Sequence, residues 1–250
     1  MRYSIDTEQQ RIRVEGDGTA QSIDLFSNEG FGVLSRLWLT VGWSLKYSYQ
    51  FSWLGRPIIQ LPEDLVRIQE LIYEVRPDVI IEIGVAHGGG QVFFASLCKL
   101  MGKGRVIGVD IEIRPHNRAA LEAHELYPLI TLIEGPSTEP AVVERVKAEI
   151  GAAERALVFL DSHHARDHVL GELEAYGPLV GVGSYVIVAD GIMEEIVGAP
   201  RTRPEWTRDS PKRAIAEFLT RHPEFEPMPP PRPFDEAMIS QAVTLSLIHI

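Results

Sequence analysis

The thirteen residues from Asp78 to Gly90, DVIIEIGVAHGGG, constrain the fold of this chain more than any other stretch. Val79, Ile80, Ile81 and Ile83, interrupted only by Glu82, form a short β-branched run, and the small residues Gly84, Ala86, Gly88, Gly89 and Gly90 follow it. A continuous apolar run of this length is the pattern of a strand buried on both faces, as in a parallel sheet. The glycines predict a sharp turn into a helix that starts near Gln91. Such a turn lets the backbone approach a ligand closely, and the free N–H groups of the first helical turn point at whatever is bound. A nucleotide-like cofactor is held in this way, although glycine-rich strand-to-helix turns also occur with no ligand.

Four more apolar runs repeat the strand pattern: Arg105 to Ile111, Leu129 to Ile133, Ala156 to Leu160 and Ser184 to Ala189. Helical patterns alternate with them. Glu63 and Asp64 open one helix, in which Leu65, Ile68, Leu71, Ile72 and Val75 recur at helical spacing until Pro77. Others run from the glycine turn to Met101, from Arg118 to Leu126, from Pro140 to Ile150, from His168 to Tyr176 and from Pro211 to Thr220. The alternation predicts an α/β fold, a doubly wound and mostly parallel Rossmann-like sheet with right-handed crossovers.

Residues 1 to about 30 are polar, turn at Gly16-Asp17-Gly18, and read as an irregular arm. The next segment crowds Trp38, Trp43, Trp53, Tyr47 and Tyr49 together, as a helix followed by an extended stretch. These aromatics either pack on the core, roof a substrate cleft or form a homo-oligomer contact. Three parts result: residues 1–56 as an N-terminal helical and aromatic extension, 57–222 as the cofactor-binding domain, and 223–250 as a proline-rich tail. In that tail PMPPPRP is an extended connection.

Lys and Arg total 24 against 35 Asp and Glu, a net charge of −11 that repels nucleic acid and anionic membranes and favours small molecules or metal cations. The single cysteine, Cys98, excludes an internal disulfide and any cysteine-based zinc cluster, and it reads as a buried helix residue in a reducing compartment. With no run of roughly 20 apolar residues and no basic leader, the expected location is cytoplasmic.

Ligands of an open parallel sheet bind outside the carboxyl ends of its strands. Four strands carry a carboxylate there: Glu82, Asp110, Asp161 and Asp190. One acid at a strand end is an ordinary turn or cap residue; four on one edge point to a site. Asp110, at the end of the second strand, stands where a carboxylate accepts hydrogen bonds from a ribose diol. That alone fits an NAD-linked oxidoreductase or epimerase. However, the turn lacks the G-x-G-x-x-G fingerprint, and Glu82 would repel a pyrophosphate while attracting the ammonium of an amino-acid-bearing nucleoside.

The E-x-G turn, V-D-I, DSHH and V-A-D-G resemble the S-adenosylmethionine-dependent methyltransferases, and among them the cephalosporin hydroxylase-like family, which includes metal-dependent O-methyltransferases of sugars and antibiotic precursors. The resemblance runs from about Trp53 to Pro200, roughly three fifths of the chain. Its most specific part is FLDSHHARDHVLGELEAYGPLVGVGSYVIVADG. It implies a class I methyltransferase that moves a methyl group to a hydroxyl of a sugar or secondary metabolite.

By position, the resemblance implies Glu82, Gly84, Gly88 and Gly89 at the methionine end of S-adenosylmethionine, Asp110 on its ribose and Ser137 near its adenine. It further implies Asp161 and Asp190 on Mg²⁺, with Asp161 also lining the cofactor site, and His164 as the base. His87 lies in the turn and lines the same pocket. His163 should point away along its loop, and His168 should open a helix behind the site. Two departures from the family stand out. Asp190 is flanked by Ala189 and Gly191 where relatives often carry a second acid or amide, with Glu194 and Glu195 nearby. Relatives also finish on an antiparallel edge strand, whereas the last residues here, LSLIHI, look aberrant for a packed terminus. A protein that kept the cofactor fold without catalysis is the other reading of these departures.

Overall fold

The structure is a computed structural model that describes residues 1–16, 18–151, 155–228 and 246–249. Among these residues one compact unit comprises Met1–Tyr47, and a second starts at Ser48 and includes the last strand.

The first unit is not an irregular arm. Strands β1 (Arg2–Asp6), β2 (Arg11–Gly16) and β3 (Thr19–Asp24) form an antiparallel sheet, followed by helix α1 (Asn28–Ser44). Ile12 and Ile23 oppose each other in register and pack with Val33 of the helix. The polarity that suggests an arm is that of a thin sheet with one small apolar cluster. Ser27 caps α1 by accepting from the Gly30 N–H at 3.0 Å.

In the second unit a short hairpin of β4 (Phe51–Trp53) and β5 (Arg56–Ile58) leads into α2 (Pro62–Val75). The alternation then follows as β6 (Val79–Ile83), α3 (Gly89–Met101), β7 (Arg105–Asp110), α4 (Pro115–Glu122), β8 (Ile130–Glu134), α5 (Pro140–Glu149), β9 (Ala156–Leu160), α6 (Arg166–Tyr176), β10 (Tyr185–Val188) and α7 (Pro211–Arg221). The last two strands are β11 (Glu226–Met228) and β12 (Ser246–His249). The sheet order is β11-β12-β10-β9-β6-β7-β8. Strands β10, β9, β6, β7 and β8 pair in parallel, and β12 is antiparallel to both its neighbours.

Alternation along the strands divides the core. Ile80, Val106, Leu157, Phe159 and Ile187 face the layer containing α2 and α3, whereas Ile81, Ile107, Val158 and Val186 face α5, α6 and α7. Both faces are covered, as the continuous apolar runs predict.

The differences from expectation have local causes. Pro115 supplies the first turn of α4, so this helix runs from Pro115 to Glu122 and not from Arg118 to Leu126. Helix α6 begins at Arg166, so His168 lies inside its first turn and does not open it. Ser246–His249 of the segment that looks aberrant inserts as β12 beside β10; Pro229 to Pro233 of the proline-rich stretch lie outside the described residues. No helix among the described residues is long and apolar enough to cross a membrane.

Phe94 of α3 is 1% exposed and sits between the rings of Phe93 and Phe159, with centroids 5.3 and 5.5 Å away. Phe94→Ala is expected to lower stability by about 3–5 kcal/mol in urea unfolding. A loss under about 1 kcal/mol would contradict a packed core at this point.

Candidate functional site

Strand β6 ends at Ile83 and its chain turns at Gly84, whose φ is +106°. A Cβ there would overlap the carbonyl oxygen of Asp161, the residue that follows β9. A second left-handed glycine, Gly88 with φ +83°, begins α3, and its Cβ would lie 2.7 Å from the Leu121 side chain. At Gly89 a Cβ would overlap the backbone of Pro57 in β5. These glycines therefore let three chain segments pack against the turn.

Side chains pin the same turn. Asp110 Oδ2 accepts from the N–H groups of Val85 and Ala86 at 2.8 and 3.0 Å. Asn117 Nδ2 donates to the Ala86 carbonyl at 2.9 Å, and Arg56 donates to the His87 carbonyl through Nε (3.1 Å) and Nη2 (2.5 Å). Arg56 Nη2 also reaches Asn117 Oδ1 at 3.1 Å, closing the clamp. Ala86 is held at φ +47°, a left-handed conformation that a residue with a Cβ keeps only when its surroundings fix it. The turn is therefore fixed by the protein itself.

Glu82 lies on the α3 face of the sheet, opposite Gly108 in register, and is 4% exposed. Its Oε2 accepts from Gln91 Nε2 at 2.5 Å, and a Cβ at Gly90 would overlap its Oε1. Burial pushes the Glu82 carboxyl well above the usual carboxylate range, against the opposing effect of the Gln91 bond.

On the neighbouring strands, Asp161 N–H donates to Ile83 O at 2.8 Å and Ala189 N–H to Leu160 O at 2.9 Å, continuing the parallel ladder. This sets Asp161 and Asp190 side by side, with Asp190 in the left-handed region at φ +56°. His164 Nε2 lies 2.9 Å from Asp190 Oδ2. Asp161, His164 and Asp190 each present a ligand atom within 4.8 Å of the other two. Gln60 Nε2, from the chain after β5, donates to Asp161 Oδ2 at 2.8 Å.

Burial, followed by repulsion from Asp190, raises the Asp161 carboxyl to about 8. Burial opposes charge on His164, yet the attraction and hydrogen bond of Asp190 outweigh it and hold the imidazole up at about 9. Two carboxylates around one imidazole form an oxygen-rich, electronegative cluster. Its donor set suits a hard divalent cation, whose charge would relieve the repulsion between the two acids.

Ser137, after β8, is buried and donates to Glu172 Oε1 at 2.6 Å. His163 is exposed, its ring edge-on to His168 with centroids 5.3 Å apart. Glu194 and Glu195 do not join the cluster: Glu194 pairs with Arg213 at 3.0 Å, and Glu195 pairs with Lys212. The segment from Gly191 to Asp209 is tied at both ends, through the Met193 N–H to Asp190 O at 3.1 Å and the Arg166 N–H to Asp209 Oδ1 at 2.6 Å.

The structure thus joins Gly84, Asp161, His164 and Asp190 in one place, with Asp110 on the turn beside them. Sequence reasoning missed Arg56, Gln60, Gln91, Asn117 and Glu172. For Glu172 a signal existed, since it falls on the apolar stripe of Val169, Leu173 and Tyr176, where a charged residue needs partners. The others act through long-range contacts that no local pattern carries.

Gly84→Ala is expected to force strain at φ +106° and part the β6 and β9 loops. A destabilisation above about 2 kcal/mol should follow in denaturant melts; an unperturbed midpoint would overturn the close approach.

Residues 45–232 match the family described as rhamnosyl O-methyltransferase/CmcI. The rhamnosyl O-methyltransferase of Mycobacterium leprae is 34% identical over 143 residues, 56% of this chain and 59% of that protein. The chain therefore spans about three fifths of the length of that curated relative. Among solved structures, CmcI with Mg and SAM superposes with a TM-score of 0.52 at 23% identity, covering 72% of this chain and 69% of that one. The MycE methyltransferase from the mycinamycin biosynthetic pathway, in complex with Mg, SAH and mycinamycin VI, gives a TM-score of 0.51 at 16% identity, over 84% and 54% of the two chains. At these identities the structural likeness is one of fold. The family match covers well over half of the sequence, and the chain belongs to the rhamnosyl O-methyltransferase/CmcI family.

Proposed function

We propose that this protein transfers a methyl group from S-adenosylmethionine to a hydroxyl of a sugar or secondary metabolite, assisted by Mg²⁺, in the cytoplasm. The observation that carries the reading is the packing of Gly84 against Asp161, which sets the glycine turn beside the Asp161, His164 and Asp190 cluster. The family membership, and the Mg, SAM and SAH of the solved relatives, support the choice of cofactors.

In this reading Gly84, His87, Gly88 and Gly89 form the wall against the methionine end of the cofactor. Glu82 acts from beneath that wall, bonded to Gln91. Asp110 keeps Oδ2 on the turn and turns Oδ1 toward the ribose diol; Oδ1 has one long bond, from the Glu112 N–H at 3.3 Å. Ser137 borders the adenine. Asp161 and Asp190 hold the metal, with Gln60 orienting Asp161. His164 takes the proton of the acceptor hydroxyl. Bound Mg²⁺ lowers the cost of charge on the acceptor oxygen, and the sulfonium supplies an electrophilic methyl group.

A second reading concerns one residue. His164 lies within ligand distance of both acids, so it can serve as the third metal ligand at the place where Ala189 and Gly191 leave none.

Turnover of labelled S-adenosylmethionine with a panel of glycosides tests the activity. Excess chelator is expected to abolish it and Mg²⁺ to restore it, with no restoration in Asp190→Asn; full activity in chelator would exclude the metal role. His164→Ala should lower turnover by roughly 10²-fold or more while Mg²⁺ binding by calorimetry persists. Loss of Mg²⁺ binding in that variant would assign His164 to the metal instead.

A further inference from the structure

Glu172 of α6 is 1% exposed, and one of its oxygens gathers donors from two loops. Oε1 accepts from Ser137 Oγ, in the loop after β8, and from Ser162 Oγ, in the loop after β9, both at 2.6 Å. His168 Nε2 lies 2.9 Å from the same oxygen. Oε2 is buried with no hydrogen-bond partner. Two features fix the helix beneath this junction: Tyr176 Oη donates to the Ser137 carbonyl at 2.7 Å, and a Cβ at Gly171 would stand 3.2 Å from Thr138.

The sheet order explains why such a junction is unusual. Strands β8 and β9 are separated by β7 and β6, so their loops cannot meet through the ladder. Glu172 bridges them from outside the sheet. One of the loops contains Ser137, and the other contains Ser162, which directly follows Asp161. A carboxylate that is buried and bonded on one oxygen alone is held in place by those bonds, and moving either loop would strip a charged group of its donors.

We propose that Glu172 is a positioning residue that couples the two halves of the site, so that ordering the adenine-side loop at Ser137 also sets Asp161 for the metal, and the reverse. The proposal rests on the cofactor and metal reading given above. Coupling of this kind is reciprocal: each ligand strengthens the other by the same factor, commonly about 5–150-fold.

The test is calorimetric titration of S-adenosylhomocysteine, with and without Mg²⁺, into the full chain. In the wild type Mg²⁺ is expected to tighten binding by about fivefold or more. In Ser162→Ala, which cuts only the β9 arm, the ratio is expected to fall to within about twofold of one, while affinity without Mg²⁺ stays within about threefold of wild type. Glu172→Leu should abolish the coupling and Glu172→Gln, whose amide oxygen can still accept, should keep much of it. Should Glu172→Leu fail to fold, the Ser162→Ala ratio decides alone. Wild-type protein that binds both ligands independently, or a Ser162→Ala ratio equal to wild type, would overturn the coupling and leave the methyltransferase reading standing. Absence of binding of either ligand to the wild type would overturn both.

Discussion

At Gly84 any side chain would run into the carbonyl oxygen of Asp161, so the loops leaving β6 and β9 can touch only while that position carries a hydrogen. This contact follows from the pairing of β6 with β9, in which Ile83 lies opposite Leu160 and the next N–H, that of Asp161, still reaches the Ile83 carbonyl. Ordinary parallel pairing thereby brings a glycine turn that suits a nucleoside and a carboxylate that suits a cation into backbone contact. The remaining site features hang on that contact. Gln60 aims Asp161, Asp190 arrives one strand further on, and His164 folds back to Asp190.

The electrostatics follow the same geometry. An acidic chain with four carboxylates on one sheet edge would repel itself there, and the protein answers each charge differently. Glu82 is buried against Gln91 and pushed toward its neutral form. Asp110 is absorbed by two backbone N–H groups of the turn. Asp190 bonds His164, and burial together with the neighbouring Asp190 raises the Asp161 carboxyl while Asp190 holds the His164 imidazole up. On this edge, then, Asp110 is bonded to the glycine turn and Glu82 to Gln91 of α3, while Asp161 and Asp190 lie together with His164.

Much of the fold was legible in the chain because buried strands leave continuous apolar runs; Ala156–Leu160 was delimited to the residue. The candidate acids were legible for the same reason: Glu82 interrupts one such run, and Asp110, Asp161 and Asp190 stand at the ends of others. The first unit leaves no such pattern, because a three-stranded sheet with Ile12, Ile23 and Val33 as its cluster buries too few residues. The clamp of Arg56 and Asn117 and the Glu172 junction join residues 61 and 35 positions apart. Such pairs are set by tertiary packing, and single-sequence periodicity does not reach them. Asp110 alone left two cofactor readings open; the match of residues 45–232 to the rhamnosyl O-methyltransferase/CmcI family supports the S-adenosylmethionine reading over the NAD-linked one.

Whether the glycine turn and the Asp161, His164 and Asp190 cluster form one methyl-transfer site is answered by replacing Mg²⁺ with paramagnetic Mn²⁺ and following the ¹³C-labelled methyl resonance of bound S-adenosylmethionine. A shared site broadens that resonance strongly in the wild type, and the broadening disappears in Asp190→Asn. A sharp methyl resonance with both Mn²⁺ and cofactor bound would contradict it.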